Sequence, residues 1–367
     1  MNLRQIRLEH YRNLTDVTLT PSPAINVIYG KNAQGKTNFL EAIWLFSGMK
    51  SFRGGDHELV QFGEAFANLK IFFFAEGREQ EAEIKIENAR RAFLNGIALK
   101  SPAKLSGVMG MIVFSPAHLS MVKEGPAGRR HFLDVAIACL RPRYISLMSD
   151  YQRAVAQRNA MLKDIRYHAE LSDMMEIYEQ RIAASGAKII RYRENYIETL
   201  KKSAPFIYSG ISSEKETLSL RYLCSAGENE EDSPGRFTAE VLFTKLREGR
   251  RGDIAQGFTG IGPHRDDLWI GIDGRSARNF GSQGQQRSAV LSLKLAEAAV
   301  MEHAAGERPV ILLDDVMSEL DETRQDYILN RIGGSQVFIT CCDPNSALKT
   351  MMGEAFCMDH GKIVNCK

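Results

Sequence analysis

Eight consecutive residues, Gly30-Lys31-Asn32-Ala33-Gln34-Gly35-Lys36-Thr37, fit the pattern G-x-x-x-x-G-K-[ST] at every fixed position. The pattern functions only as a loop between a strand and a helix. Its backbone N–H groups must converge on phosphate oxygens while the helix N-terminus adds partial positive charge. The flanks meet that demand: Ile25 to Tyr29 is an apolar run of strand length, and Phe39, Leu40, Ile43 and Trp44 recur at helical spacing before a stop at Ser47-Gly48. Gly30 and Gly35 let the loop curl, Lys36 is placed to reach β/γ-phosphates, and the Thr37 hydroxyl to ligate Mg²⁺. Lys31, Asn32, Ala33, Gln34 and Asn38 complete the predicted ATP-binding stretch. An α/β core around a nucleotide-binding loop is expected.

With 367 residues the chain has room for one large or two modest domains. Its 44% hydrophobic and 25% charged content is that of an ordinary globular protein. No run of 18 apolar residues occurs, and the charged start (Arg4, Arg7, Glu9, His10) is unlike a signal peptide, so a soluble, cytoplasmic protein is expected. Cys139, Cys224, Cys341, Cys342, Cys357 and Cys366 form no C-x-x-C pair and read as reduced thiols. A net charge of +2 gives no global argument for nucleic-acid binding. The distribution is more informative: residues 115–206 hold 15 Lys and Arg against 10 Asp and Glu, leaving 32 against 35 elsewhere.

Strand patterns surround the loop at Leu3 to Leu8, Ala67 to Phe74 and Ala82 to Ile86. Helical patterns then dominate, over Arg129 to Leu140, Tyr144 to Lys163 and Leu171 to Lys202. In the last, Met175, Ile182, Ile189 and Tyr196 repeat every seven residues. The repeat stops there, which predicts a short helical arm and no long coiled coil. Polar residues 226–235 and the basic stretch Lys245 to Gly252 are expected to be loops. A strand follows at Leu268 to Ile272, then a helix from Ser282, a strand at Val310 to Leu313, a helix at Thr323 to Ile332 and a strand at Gln336 to Thr340. His264-Arg265-Asp266-Asp267 after Gly262-Pro263 reads as turn chemistry.

Four apolar residues ending in two carboxylates, Val310-Ile311-Leu312-Leu313-Asp314-Asp315, have the form of a buried strand delivering an acid to a P-loop Mg²⁺. Asp314 is placed to hold the metal with Thr37, and Asp315 to orient or deprotonate an attacking water; Lys36, Asp314 and Asp315 are the candidate catalytic set. Ser282-Gln283-Gly284-Gln285 opens a helix with a capping-box pair, S-x-x-Q, and a capped helix N-terminus is also an anion-binding device.

The order P-loop, Ser-x-Gly-Gln, acidic strand, then Ser318-Glu319-Leu320-Asp321 resembles the ABC-type ATPases. The resemblance implies that Ser282, Gly284 and Gln285 of one copy meet the nucleotide held by another. Ser282, Gly284, Ser318 and Asp321 would then lie at the interface of an ATP-dependent homodimer. Lys36 and Ser282 are 246 positions apart, too far for a transporter subunit and too close for a coiled-coil SMC protein. Tyr11-Arg12-Asn13, Lys50-Ser51-Phe52-Arg53, Phe114-Ser115-Pro116, Arg129 to Asp134, Gln157-Arg158-Asn159, Gly262 to Asp267 and Gly281 to Arg287 narrow the resemblance to the RecF family. That family implies an ABC-type head of mixed sheets around the P-loop helix, with an ATPase lobe over 1–114 and 305–367 and a helical arm plus signature lobe over 115–304. It further implies slow, DNA-stimulated ATP hydrolysis, with ATP and Mg²⁺ at the site. The partners implied are duplex, gapped or single-stranded-junction DNA, and RecO- and RecR-type mediators in loading a recombinase. Arg129, Arg130, Arg141, Arg143, Arg153 and Arg158 are the candidate phosphate contacts. Two features depart from ABC-type ATPases: Asp315 stands where Glu is usual, and Cys341-Cys342 stands where a switch histidine is usual. Gln61 is the candidate Q-loop glutamine. The rival readings are a P-loop small-molecule kinase, which needs no Ser282-Gln283-Gly284-Gln285, and an ABC transport ATPase subunit.

Overall fold

The chain is described by a computed structural model over residues 1–165, 168, 171–227, 236–342 and 353–364. The polar stretch expected as a loop over 226–235 lies outside the described residues from 228 onward, as does Cys366. Two units emerge, Met1–Leu119 with Leu291–Lys367, and Ser120–Val290.

The first unit holds two six-stranded sheets. One is antiparallel and contains β1 (Asn2–Tyr11), β2 (Leu14–Leu19), β4 (Ala67–Ala75), β5 (Arg78–Ile86), β6 (Arg90–Leu94) and β7 (Ile97–Ala98), in the order β2-β1-β4-β5-β6-β7. Its inner face follows from strict alternation: Ala67, Leu69, Ile71, Phe73 and Ala75 of β4 are buried and the residues between them are not. In β1 a bulge between Leu3 and Gln5 resets the alternation, so that Leu3, Ile6 and Leu8 all point inward.

The second sheet runs β15-β14-β3-β13-β12-β8, from β3 (Ile25–Tyr29), β8 (Met111–Phe114), β12 (Val310–Asp314), β13 (Val337–Cys341), β14 (Gly353–Asp359) and β15 (Lys362–Val364). All its pairs are parallel except β14 with β15. Every residue of β8, β12 and β13 is buried, as expected of parallel strands covered on both faces. Helix α1 (Lys36–Trp44) packs on β1 of the first sheet and on β8, β12 and β13 of the second. Phe39, Leu40 and Ile43 are wholly excluded from solvent there. The unit also contains α2 (Pro116–Leu119) and, after β12, α10 (Glu322–Arg331). Cys341 is a buried thiol and Cys342 an exposed one, neither in a disulfide, whereas Cys357 is disulfide-bonded, which the scattered cysteine spacing gave no reason to expect.

In the second unit, helices α3 (Pro126–Leu140), α4 (Arg143–Asp164), α5 (Leu171–Lys201), α6 (Ala204–Ile211) and α7 (Ala239–Gln256) accompany a small antiparallel sheet. That sheet, in the order β11-β10-β9, consists of β9 (Leu218–Leu223), β10 (Asp267–Ile272) and β11 (Arg275–Ser276). Short α8 (Ala277–Phe280) precedes α9 (Gln283–Ala305), and the unit boundary falls after Val290 of α9. The heptad residues Met175, Ile182, Ile189 and Tyr196 are all buried as α5 packs on α4 and α7.

The basic stretch Lys245 to Gly252 is helical, inside α7, and not the loop expected. Thr238 caps the helix by accepting from the Val241 N–H, and Leu242, Leu246 and Asp253 form its buried side. That burial offsets the cost of Gly249 and Gly252 in the helix, about 1 kcal/mol each.

Two arginines expected to contact DNA are interior. Arg158 is fully buried and donates to Asp253 Oδ2 (2.6 Å), Thr259 Oγ1 (3.0 Å) and Glu179 Oε1 (3.0 Å). Arg129 is buried in a two-pronged pair with Asp267 (2.8 Å to each oxygen) and also donates to the carbonyls of Met121, Val122 and Glu124. Guanidinium groups committed in this way are unavailable to phosphate. Arg130 is half-buried and donates to the Asp266 carbonyl, while Arg141, Arg143 and Arg153 are exposed.

The motif Gly262 to Asp267 turns out to be the hub of the same interior. Tyr151 Oη lies 2.5 Å from His264 Nδ1, and Asp266 accepts from Tyr222 Oη (2.6 Å) and the Ser225 N–H (2.7 Å). Arg193 donates to the Pro263 carbonyl (2.6 Å) and to both Asp134 oxygens (2.9 Å each).

Arg158→Ala leaves buried Asp253 without its guanidinium and buried Glu179 with Arg250 alone, and is expected to cost about 3–5 kcal/mol, read from urea unfolding. Burial first, and then the Arg265 and Arg130 charges, hold the His264 pKa below its ordinary value of 6.5, against the pull of the Thr259 carbonyl and Asp266. The unfolded chain takes up this proton before the folded one does. Stability from this group is therefore present above pH 6.5 and lost as pH falls through the depressed folded value. Unfolding titrations of wild type against His264→Gln should show that slope only in the wild type.

Candidate nucleotide site

The loop from β3 into α1 adopts the backbone its sequence demands. Gly30 (φ 148°) and Gly35 (φ 109°) lie where side chains are strained, and Ala33 (φ 64°) is left-handed. A Cβ on Gly30 would run into the Met358 carbonyl, and one on Gly35 would lie 2.8 Å from Asn13 Oδ1 and Leu14 Cδ2. Both glycines are thus fixed by close approach as well as by φ. The Lys36 ammonium arches back over its own loop, donating to the carbonyls of Gly30 (2.6 Å) and Lys31 (2.8 Å). Gln34 is anchored to the turn between β14 and β15, its carbonyl accepting from the Gly361 N–H and its Oε1 from the His360 N–H.

Three parallel strands deliver side chains to one point. Thr37 Oγ1, at the head of α1, donates to Asp314 Oδ1 at 2.8 Å. Thr340 Oγ1, near the end of β13, donates to the same oxygen at 2.9 Å and accepts from the Asp315 N–H at 2.9 Å. Burial raises the Asp314 pKa above the usual carboxylate value, and the two threonine hydroxyls and the Arg53 charge only partly counter it. Asp315 is left-handed (φ 53°), a conformation aspartate tolerates, and Ser318 Oγ donates to its carbonyl (2.8 Å). Asp321 caps α10 by accepting from the Arg324 N–H, which lowers its pKa.

These elements border a cavity of about 390 Å³ lined by Asn13, residues 32–38, Arg53, Asp315 and Thr340. Lys36, Thr37, Asp314 and Asp315 are brought together as the sequence predicts. Asn13 and Arg53 were not foreseen as part of the wall. Asn38 Nδ2 donates to Asn13 Oδ1 (2.8 Å), and Arg53 donates to Asn38 Oδ1 (2.7 Å). Their motifs, Tyr11-Arg12-Asn13 and Lys50-Ser51-Phe52-Arg53, were visible in the sequence, but nothing local tied them to the loop. Gln61, the Q-loop candidate, donates to Thr15 Oγ1 and does not line the cavity.

Ser282, Gly284 and Gln285 belong to the other unit, where they form a reciprocal capping box. The Ser282 N–H donates to Gln285 Oε1 (2.7 Å), and the Gln285 N–H to Ser282 Oγ (3.2 Å). Gln285 Nε2 is tied to Glu216 (2.7 Å), and buried Gln286 donates to the Ala277 and Gly281 carbonyls. Ser282 itself is exposed. Among the described residues no cluster of three or more His, Cys, Asp or Glu could hold a metal. Thr37 and Asp314 do fit Mg²⁺, which is held by one or two protein oxygens, water and substrate phosphates more readily than by a protein cage.

The model of the RecF/RecN/SMC N-terminal domain matches residues 2–360. The DNA replication and repair protein RecF of Clostridium acetobutylicum is 36% identical over 99% of both chains. That of Caldanaerobacter subterraneus subsp. tengcongensis is 40% identical over 93% of this chain and 94% of its own. A solved structure of the recombination mediator protein RecF-ATPrS in the RecFOR pathway superposes with a TM-score of 0.91, at 37% identity, over 98% of this chain and 97% of that one. An Smc head domain from Pyrococcus furiosus, at 14% identity and a TM-score of 0.54 over 100% of this chain and 96% of that one, shares the fold alone.

Thr340→Val keeps the shape of the side chain but leaves the Asp315 N–H unpaired and Asp314 with one hydroxyl fewer. It is expected to cost about 1–3 kcal/mol in urea unfolding, and Thr340→Ser to cost little.

Proposed function

The chain belongs to the RecF family, an ABC-type head without a long coiled coil, and we propose that it is a DNA-binding ATPase of recombinational gap repair that dimerises on ATP. The observation that carries this reading is the Thr37–Asp314 hydrogen bond, which joins the phosphate loop to the acidic strand across 277 positions of sequence. The ATP-bound relatives support ATP as the nucleotide.

In the proposed reaction the loop's N–H groups and the α1 N-terminus bind the β- and γ-phosphates. The Lys36 ammonium exchanges its two backbone carbonyls for phosphate oxygens. Thr37 and Asp314 would hold Mg²⁺, which supplies charge neutralisation on those phosphates. Asp315, held left-handed by Thr340 and Ser318, orients the attacking water and takes up its proton. Asn13 and Arg53 close the wall of the pocket.

Ser282 and Gly284 of a second copy cap the γ-phosphate, with Ser318 and Asp321 at the same interface, so ATP binding joins two heads and hydrolysis releases them. DNA is held through phosphates without base readout. Exposed Arg141, Arg143 and Arg153 remain as contacts, and the binding weakens steeply with salt. The relatives' place in the RecFOR pathway supports RecO- and RecR-type partners and a role in loading recombinase at gaps. No described helix is long and apolar enough to cross a membrane.

Lys36→Ala is expected to abolish nucleotide binding. Ser282→Arg is expected to bind ATP as a monomer and to lose ATP-driven dimerisation, read by light scattering with and without ATP. A Ser282→Arg protein that still dimerises on ATP rules out the signature assignment.

A further inference from the structure

Glu41 is an acidic residue in the middle of the apolar helix α1, and its side chain is fully buried. An ionised carboxylate is costly in such a place unless every lone pair is used. Here they are. Oε2 accepts from Tyr11 Oη (2.8 Å) and Arg12 Nε (2.5 Å), while Oε1 accepts from Arg12 Nη2 (3.1 Å) and Ser51 Oγ (2.6 Å). Burial raises the Tyr11 pKa and Glu41 raises it further, so the phenol stays a donor.

The partners of Glu41 stand one or two residues before the two unforeseen wall residues. Tyr11 and Arg12 precede Asn13, whose side chain abuts Gly35 and accepts from Asn38. Ser51 precedes Arg53, and Ser51 Oγ also accepts from the N–H groups of Arg53 (3.0 Å) and Gly54 (3.0 Å), forming the turn that sets the arginine's direction. Arg53 then reaches Asn38. One carboxylate on α1 thus fixes two separate segments, and each delivers one side chain to the cavity.

Building on the nucleotide reading of that cavity, we infer that Glu41 is a positioning residue for the ATPase. It orients Asn13 and Arg53 on the pocket wall through Tyr11, Arg12 and Ser51, and touches no substrate itself. The Ser51 hydroxyl is the link to Arg53: its proton goes to Glu41 and its lone pairs receive the turn.

Ser51 is the place to test this, because removing a half-buried loop hydroxyl takes away one of the four bonds to Glu41 and leaves those from Tyr11 and Arg12 in place. Steady-state ATP turnover and binding of a fluorescent ATP analogue are measured for wild type, Lys36→Ala, Ser51→Ala, Ser51→Thr, Arg53→Ala and the Ser51→Ala/Arg53→Ala double variant, with melting curves for each. Ser51→Ala is expected to lower kcat by about 10- to 100-fold, with KM changed far less, as misplacement of a wall group does. Ser51→Thr keeps the hydroxyl and is expected to restore the rate. The double variant should be no slower than Arg53→Ala, since Ser51 acts through Arg53. Losses that multiply in the double variant, or a Ser51→Ala enzyme with wild-type kcat, overturn the inference. If analogue binding survives Lys36→Ala unchanged, the nucleotide reading itself fails, which is a separate result. A Ser51→Ala protein that melts early and is slow, but is not rescued by Ser51→Thr, also counts against the inference.

Discussion

The hydrogen bond between Thr37 and Asp314 sets the architecture that the rest of the first unit must supply. For residues so distant in sequence to meet, β3 and β12 must run parallel in one sheet with β13 between them. Parallel strands end at the same edge, and their carboxyl ends are where open α/β sheets place ligands. The loop leaves the end of β3, Asp314 is the last residue of β12, and Thr340 lies one residue from the end of β13. The three contributors converge because of sheet topology, with no local sequence signal linking them. Helix α1 begins at that edge and runs between the two sheets, which is why its apolar residues are so completely buried.

Charge in the second unit follows a different logic. Its excess of arginine invites a surface reading, yet Arg129, Arg158 and Arg193 are interior: Arg129 and Arg193 donate to carboxylates and backbone carbonyls, and Arg158 to two carboxylates and the Thr259 hydroxyl. Arginine suits this role because its planar fork can serve several acceptors at once and resists deprotonation. The helices of the arm therefore meet across polar networks as well as apolar seams. Asp134 illustrates the arrangement: it takes Arg193 on both oxygens and the Tyr144 hydroxyl as well.

The sequence was most legible where a residue type is dictated by backbone geometry or by period. The phosphate loop shows itself because glycine is required at φ values other residues avoid, and the strands because one face alternates. The heptad of α5 is likewise visible in Met175, Ile182, Ile189 and Tyr196. Reading failed where pairing decides. Nothing in a string of letters distinguishes Arg158, with two buried carboxylates beside it, from exposed Arg153. The stretch Lys245 to Gly252 looks like a loop because its glycines and charges outweigh its one leucine, Leu246, whose burial comes only from tertiary packing. Asn13 and Arg53 were missed as wall residues for a related reason: the contacts that bring them to the cavity run through Asn38 and Glu41 and have no local signature.

At Ser282, capping and phosphate binding are compatible in the geometry of the hydroxyl. In the capping box Ser282 Oγ acts as acceptor, taking the Gln285 N–H, and Gln285 returns the favour to the Ser282 backbone. The acceptor role leaves the hydroxyl proton to be donated elsewhere, and the side chain is exposed. Gln286 pins the preceding turn and Gln285 is held by Glu216, so the helix N-terminus is rigid before any anion arrives. A rigid donor at a helix N-terminus loses little freedom on meeting a phosphate, and its dipole already favours the charge. In the proposed dimer the Ser282 that starts the helix would therefore also read the γ-phosphate held by the other copy.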